Sequence, residues 1–423
     1  MPHLGDREED RCPSVLDLFA APGGFSQGFR EAGYRILAAV DIDKLGCETL
    51  RHNFPETNVI QRDIEDILPR LRGRVDVIIG GPPCQGFSLI GRAKINHLHR
   101  INKRERFIDD NRNRLYKCFV RTVKKFQPRF FVMENVAGIV SYDEGRVKKE
   151  ILEDFKRIGY GGNSDTGKCD VEILNAADYG VPQTRKRAIF IGNRIGVKNP
   201  FPQRTRYDQS KITQTTLEEN LNGLKPYRTV ADAISDLPAL GAPGGQDEME
   251  YPPIAILTQY QKWARKESTK VYNHVSRYHS DRDLSFFSKL KPGQVMANLP
   301  GELPYRVDIF EDKVKKQRWD RPSSVILAHM QKDGLMYVHP DQVRSFTPRE
   351  AARLQSFNDS FRFMGSMTNQ FRQVGNAVPP ILAEAIAMAI KPFIKSLKRP
   401  VVILEDVART GAESLPLRTR GRK

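Results

Sequence analysis

Short apolar strands alternate with amphipathic helices over residues 14–194, and this alternation limits the possible folds more than any other feature. The strand segments are SVLDLF, YRILAAVDI, VDVIIGG, RFFVMENV, VEILNAADYG and AIFIGN. The helical segments between them are FSQGFREAG, KLGCETLRHNF, NRLYKCFVRTVKKF and VKKEILEDFKRIG. Such a series is typical of βαβ units, in which helices cover both faces of a parallel sheet. We therefore predict an α/β fold that binds its ligands at the carboxyl ends of the strands.

The pattern changes after residue 193, where Pro, Gly and polar residues become frequent and stretches such as LPALGAPGGQDEMEYPP indicate loops. A strand pattern resumes near Arg321 in RPSSVILAHM, followed by TPREAARLQSF and the apolar helix ILAEAIAMAIKPFIKSL. We predict a second, less regular region between these points. From about Arg399, a short apolar run and the basic end RTRGRK predict a solvated tail.

The net charge indicates a polyanionic partner. Lys and Arg number 68 against 51 Asp and Glu, which gives a formal charge of +17. Nucleic acid is the first expectation for such a chain, although a charge that only improves solubility is the alternative.

Neither a membrane span nor a secretory signal is evident, since the apolar runs are short and the first residues, MPHLGDREEDRCPS, are polar. We therefore expect a cytoplasmic protein. The five cysteines are scattered and form no CxxC pair, which argues against a disulfide framework and against a zinc site. A single cysteine can then be chemically active.

A glycine turn and two acidic strand ends predict a nucleoside site. The segment DLFAAPGGF carries Gly23 and Gly24, which let the backbone approach a ligand closely. Asp41 and Asp63 end the next two strands, where a carboxylate can accept hydrogen bonds from ribose hydroxyls. Each feature alone is also typical of a plain turn or a helix cap. No Walker lysine follows the glycines, so a nucleoside without a triphosphate is favoured.

The segment GGPPCQGFS, residues 80–88, places Cys84 after an apolar strand. Two prolines stiffen the turn, and a thiol beside helix amides or cations can lose its proton below its usual pKa of about 8.5. A buried, inert cysteine is the alternative. The Pro-Pro-Cys-Gln setting favours a nucleophile.

In order along the chain, the motifs DLFxxxGG, PPCQGFS, MENV, QTRKR, RPSSVI and QVGNAVPP resemble those of the DNA cytosine-5 methyltransferases, from residue 15 to about 395. The resemblance implies a Rossmann-like class I methyltransferase domain that uses S-adenosyl-L-methionine, together with a smaller, irregular target-recognition domain. It divides the chain into an N-terminal segment (1–13), a catalytic and cofactor-binding domain (14–195), a target-recognition domain (196–320), a return to the catalytic domain (321–398) and a basic tail (399–423).

The resemblance also assigns catalytic roles. The Cys84 thiolate adds to C6 of cytosine and makes C5 nucleophilic, while Glu134 supplies a carboxylic acid near N3. Arg185 holds the cytosine carbonyl and positions the other catalytic groups, and Arg187 supports the site. Phosphate binding by both arginines is the alternative.

The matching cofactor positions come from all parts of the catalytic domain. They are Phe19, Gly23, Gly24, Asp41, Ile42, Asp63, Ile64, Pro83, Leu115, Asn376 and Val378. Two residues depart from the family pattern: Ala21 stands where Gly is usual, and Asp41 is shorter than the frequent Glu. These departures bear on cofactor affinity rather than on cofactor identity.

The partner that the resemblance implies is double-stranded DNA, with the target cytosine turned out of the helix. After the nucleophile, the basic segment LIGRAKINHLHRINKRERFIDD corresponds to a loop that closes over DNA; its predicted DNA contacts, with Ser88, are Arg100, Lys103, Arg104 and Arg106. We expect a monomer of restriction-modification type, without a metal, that acts separately from any cognate endonuclease.

Two other functions are possible for a chain with these motifs. A tRNA methyltransferase is one rival, but its motif usually carries Pro where this chain has Gly86. A regulator that kept the fold without the activity is the other.

Overall fold

The structure is a computed structural model that describes residues 12–68, 70–83, 113–161, 168–211, 223–254, 256–300, 314–394 and 401–404. A seven-stranded sheet lies at its centre. The sheet strands are β1 (Ser14–Leu18), β2 (Arg35–Asp41), β3 (Asn58–Gln61), β5 (Val77–Gly80), β6 (Phe130–Val136), β7 (Lys168–Asn175) and β8 (Lys186–Asn193), and β4 (Leu71–Arg74) lies outside this sheet.

The strand order is β3-β2-β1-β5-β6-β8-β7. The first five strands in this order are parallel, and β8 runs antiparallel to both β6 and β7. From β1 the chain adds β2 and β3 toward one edge of the sheet, and from β5 it adds β6 and later β8 and β7 toward the other edge. In an open α/β sheet, ligands bind at the carboxyl ends of the strands beside such a switch point. The predicted α/β fold is confirmed.

Helices cover both faces of the sheet. The α-helices of the described residues, which include those outside the sheet layers, are α1 (Gly24–Glu31), α2 (Lys44–Asn53), α3 (Ile64–Ile67), α4 (Asn113–Phe126), α5 (Arg146–Phe155), α6 (Val230–Ile234), α7 (Gln259–Arg265), α8 (Asp281–Lys289), α9 (Pro348–Leu354), α10 (Met367–Asn376) and α11 (Pro380–Ile390). Successive residues of β6 face opposite layers, so Phe131 packs with Phe119 of α4, while Val132 packs with Leu382 of α11. The apolar runs of the central strands reflect burial on both faces.

The region predicted as the target-recognition domain shares a core with the catalytic domain. Its strands are β9 (Arg206–Tyr207), β10 (Lys225–Pro226), β11 (Gly244–Glu250) and β12 (Lys270–Ser276). Val230 and Tyr260 are buried in one cluster with Leu50 of α2 and Phe371 of α10. The short helices α6 and α7 have too little apolar surface to form a core alone, so they use that of the catalytic domain. A small cluster around Phe287 is separate.

The prediction of a solvated tail from about Arg399 is wrong for the first residues of that segment that the structure describes. Val401–Leu404 form a strand, β13, that pairs antiparallel with β4. Val402 is 6% exposed and belongs to the main core. An apolar run of four residues gives no indication of its partner strand, because β4 lies more than 300 residues earlier.

One stretch, Met367–Phe393, is long and apolar enough by composition to cross a membrane, but 67% of its most apolar window is buried inside the structure. The stretch is also two helices, α10 and α11, because the backbone is extended at Ala377 and Pro379. The stretch therefore consists of two helices that are mostly buried in the core.

Candidate active site

A cleft of about 720 Å³ opens at the carboxyl ends of the strands beside the switch point. Parts of the chain that are distant in sequence meet there. The predicted site residues that line the cleft are Phe19, Asp41, Ile42, Asp63, Ile64, Pro83, Leu115, Glu134, Arg185, Arg187 and Asn376. The structure thus brings eight of the eleven predicted cofactor positions and three of the predicted catalytic residues into one space.

Gly23, Gly24 and Val378 do not line this cleft. Gly23 has a φ of 112° and precedes α1, so it needs the conformational freedom of glycine. A Cβ on Gly24 would lie 2.2 Å from the carbonyl oxygen of Val378. The cofactor contact predicted for these three residues stays a prediction; in the structure the glycine turn packs against the backbone just before α11.

The tip of β2 forms one wall of the cleft. The backbone N–H groups of Ala21 and Asp43 donate to the two carboxylate oxygens of Asp41, at 3.0 and 2.8 Å. Burial raises the pKa of Asp41 above its usual value, although these hydrogen bonds oppose the shift. Beside it, Ile42 is 67% exposed. A fixed carboxylate next to an exposed apolar side chain suits a ligand with a hydroxylated sugar and a flat ring.

Asp63 has two roles in the structure. It lines the cleft, and its carboxylate also caps α3 by accepting from the N–H of Glu65 at 2.9 Å. Phe19, with a φ of 57°, also lines the cleft. On another part of the wall, Asn376 is exposed at the end of α10, and its side chain has no hydrogen bond to any described residue. It is available to a ligand.

Glu134 and Arg187 form the central ion pair of the cleft. Arg187 lies opposite Val136 in the ladder between β8 and β6, which puts its side chain on the same face as Glu134. Arg187 Nε lies 2.8 Å from Glu134 Oε1, and each side chain is only 12% exposed. Burial lowers the pKa of Arg187, and the neighbouring carboxylate opposes that shift. The pair can present one carboxyl group and one cation to a planar polar ring.

Arg185 has a different environment, although it also lines the cleft. Its Nη1 donates to the carbonyl of Ile326 at 2.7 Å, and its Nη2 donates to the carbonyls of Gly375 and Ala377 at 3.1 Å. The side chain is 2% exposed, and burial lowers its pKa further than the nearby charge of Arg187 does. Its Nε has no hydrogen-bond partner among the described residues. The roles predicted for the two arginines stay predictions; in the structure Arg187 contacts Glu134, whereas Arg185 binds backbone carbonyls.

The turn after β5 brings the chain toward Cys84. A Cβ on Gly81 would lie 3.3 Å from Glu134 Oε2, so this turn passes close to the carboxyl group, and a larger residue would press on it. The Asn135 side chain donates to the carbonyl of Pro82 at 3.2 Å and holds the turn against β6. The predicted nucleophile and DNA contacts, namely Cys84, Ser88, Arg100, Lys103, Arg104 and Arg106, lie outside the described residues.

Sequence reasoning missed two parts of the cleft wall. Residues 327–332 contribute His329 and Lys332, although the preceding motif RPSSVI predicted only a strand. Arg372 and Asp43 lie together at the rim. The position of Arg372 just before QVGNAVPP was the available signal. Among the residues that the structure describes, no group of three or more His, Cys, Asp or Glu side chains is placed to hold a metal ion.

Asp17, in β1 behind the glycine turn, is a buried carboxyl group with an incomplete set of partners. The hydroxyl of Ser26 donates to its Oδ2 at 2.6 Å, while Oδ1 has no hydrogen-bond partner within the described part of the chain. Burial raises its pKa from 3.8 to about 8, and the nearby carboxylate of Asp41 adds to the shift. The folded state therefore binds a proton at Asp17 between about pH 4 and 8 that the unfolded state has released.

We expect the free energy of unfolding to fall as the pH rises through this window, by up to about 1.4 kcal/mol per pH unit from Asp17 alone. Asp17→Asn keeps the acceptor for Ser26 but cannot titrate, so its stability relative to the parent should increase from pH 5.5 to 8.5. Urea unfolding at several pH values measures this difference. The exposed Asp66→Asn is the matched control and should run parallel to the parent. If the stability of Asp17→Asn also ran parallel to that of the parent over this pH range, the raised pKa of Asp17 would be contradicted.

Comparison with known proteins gives consistent matches. The family model for C-5 cytosine-specific DNA methylases matches residues 14–392. The Type II methyltransferase M1.HphI of Haemophilus parahaemolyticus is 38% identical over 388 residues, which cover 90% of this chain and 87% of the relative. The Type II methyltransferase M.DdeI of Desulfomicrobium norvegicum is 38% identical over 408 residues, which cover 91% of this chain and 90% of the relative. A solved structure described as a prophage-encoded DNA modification methyltransferase (E. coli) has a TM-score of 0.63 and 26% identity, and the match covers 90% of this chain and 99% of that one.

Proposed function

Because the chain belongs to the family of C-5 cytosine-specific DNA methylases, we propose that the cleft at the switch point is where it methylates an extruded cytosine of double-stranded DNA. The chain is a DNA (cytosine-5)-methyltransferase. The observation that carries the assignment of the site is the Glu134–Arg187 pair, which lies against the Gly81 turn that leads to Cys84.

The cleft residues fit S-adenosyl-L-methionine, the cofactor of this class of methyltransferases. Asp41 and Asp63 offer carboxylate oxygens to ribose hydroxyls, and Ile42 offers an exposed apolar side chain to the adenine ring. Asn376 has a free side-chain amide for the amino-acid end. When bound, the cofactor supplies a methyl group on a positively charged sulfur. Phe19, Ile64, Pro83 and Leu115 complete the cofactor wall in this proposal.

The catalytic residues act on the cytosine ring in this proposal. The Cys84 thiolate adds to C6, which breaks the C5–C6 double bond and leaves C5 able to take the methyl group; loss of the C5 proton then expels the thiolate and restores the double bond. Glu134 donates a hydrogen bond or proton at N3, where negative charge develops. Arg187 orients Glu134 and contacts the cytosine carbonyl. Arg185 positions the wall by holding the backbone at Ile326 and Gly375.

We propose that the basic segment after Cys84 contributes the DNA backbone contacts, through Ser88, Arg100, Lys103, Arg104 and Arg106. Cations at such a position neutralise phosphates on either side of an extruded base. The target-recognition region then reads the sequence from the groove. The relatives are Type II methyltransferases, so we further propose that the chain protects host DNA in a restriction-modification system, as a monomer separate from the endonuclease, in the cytoplasm.

Bisulfite sequencing of host DNA tests the function directly. Expression of the protein in a host that lacks cytosine-5 methylation should protect cytosines from conversion at one short recurring sequence, and expression of Cys84→Ala should protect none. Protection that appeared in tRNA and not in DNA would assign the activity to RNA. Unprotected DNA and RNA, with the protein folded and cofactor-loaded, would contradict a methyltransferase function.

A further inference from the structure

The cofactor side of the cleft wall is assembled from two parts of the chain that lie more than 300 residues apart. One part is the tip of β2 with the start of α2, and the other is α10. The hydroxyl of Thr49 donates to Gln373 Oε1 at 2.7 Å and joins the two parts behind the wall, where both side chains are buried. At the rim, Arg372 Nη2 meets Asp43 Oδ2 at 2.5 Å.

Asp43 connects this rim contact to the cofactor wall through three separate atoms. Its Oδ1 accepts from the N–H of Gly46 at 2.9 Å and caps α2. Its own N–H donates to Asp41 Oδ1 at 2.8 Å. Its Oδ2 forms the ion pair with Arg372, which lies one helical turn before Asn376 in α10. A displacement of Asp43 therefore moves Asp41, and a displacement of Arg372 moves the helix end that carries Asn376.

We propose that the Asp43–Arg372 ion pair, the rim clasp, sets cofactor affinity by holding Asp41 and Asn376 at the spacing that the bound cofactor requires. This inference rests on the proposed function of the cleft. Both residues are positioning residues, because each acts through the neighbour that it holds rather than on the reacting atoms. The clasp therefore acts on the binding of cofactor and leaves the chemical step unchanged once cofactor is bound.

The exposure of the pair fixes the size of the expected effect. The side chains of Arg372 and Asp43 are 35% and 30% exposed, so water weakens their attraction. Pairs of this kind change an equilibrium by about two- to fivefold. Dissolved salt screens partly exposed charges, so the effect of the clasp should shrink as the ionic strength rises. A loss of cofactor affinity that came only from a disturbed fold would not shrink in this way as the salt concentration rises.

The experiment is a double-mutant cycle on the full chain. Arg372→Gln, Asp43→Asn and the double variant are titrated calorimetrically with S-adenosyl-L-methionine at about 50 and about 500 mM NaCl, and kcat is measured at saturating cofactor. Asn still caps α2, so Asp43→Asn removes only the charge. Each single variant should raise the Kd about two- to fivefold at low salt, the double variant no further, and kcat should stay at the parental value.

Two further variants sharpen the result. Arg372→Lys keeps the charge and should restore most of the affinity. Arg51→Gln removes an exposed arginine from the far end of α2 and should leave the Kd unchanged. Additive effects in the cycle, an equal loss at both salt concentrations, or a lowered kcat would overturn the clasp. A parent that bound DNA but no cofactor would overturn the proposed function, and the clasp with it.

Discussion

Cys84→Ser should lower the rate of DNA methylation by at least about a thousandfold, which corresponds to about 4 kcal/mol of lost transition-state stabilisation. A serine hydroxyl stays protonated at neutral pH and adds poorly to C6, whereas a thiolate is a strong nucleophile. The turn of Gly81–Pro83 is held by Asn135, so the variant keeps the shape of the site. Methyl transfer from labelled cofactor to a cognate duplex measures the loss.

A trapping experiment separates a nucleophile from a cysteine that only supports the fold. With 5-fluorocytosine at the target and cofactor present, the parent should form a protein–DNA complex that resists denaturation. Fluorine at C5 cannot leave as a proton, so the thiol cannot be eliminated after methyl transfer. Cys84→Ser should form none, and Cys12→Ser, which alters a half-buried free cysteine, should trap as the parent does. Equal trapping by Cys84→Ser would exclude Cys84 as the nucleophile.

Glu134→Gln should lower kcat by about a hundredfold to ten-thousandfold while leaving the Kd values for DNA and cofactor within about threefold of the parent. The amide keeps the shape of the side chain and can still accept from Arg187, but it cannot transfer a proton to N3. The variant also leaves the buried guanidinium of Arg187 without its carboxylate, so some stability will be lost. Single-turnover methylation and the two binding constants separate these effects.

The control for this variant is Glu172→Gln, which alters an exposed glutamate on the outer strand β7 and should leave turnover unchanged. Arg187→Lys adds a second comparison, because it keeps a cation near Glu134 but loses the planar fork of the guanidinium. We expect its kcat to lie between those of the parent and Glu134→Gln. Parental turnover in Glu134→Gln would remove this carboxyl group from the mechanism.

The sequence by itself determined the fold class and the chemical inventory of the site. Apolar strands separated by helical segments fix a covered sheet, because successive strand residues point to opposite faces and both faces must then be buried. Asp41 and Glu134 could be placed at the cleft because the carboxyl ends of parallel strands share one edge of the sheet. Neither inference needs a distant contact.

Tertiary structure alone decided which groups touch. Arg185 and Arg187 are two residues apart and were both predicted to serve the catalytic site, but backbone carbonyls such as that of Ile326 engage the first, whereas Glu134 engages the second. The contacts of β13 with β4 and of Asp43 with Arg372 were equally invisible. Local patterns record which face a residue points to, whereas pairing between segments hundreds of residues apart depends on how the whole core packs.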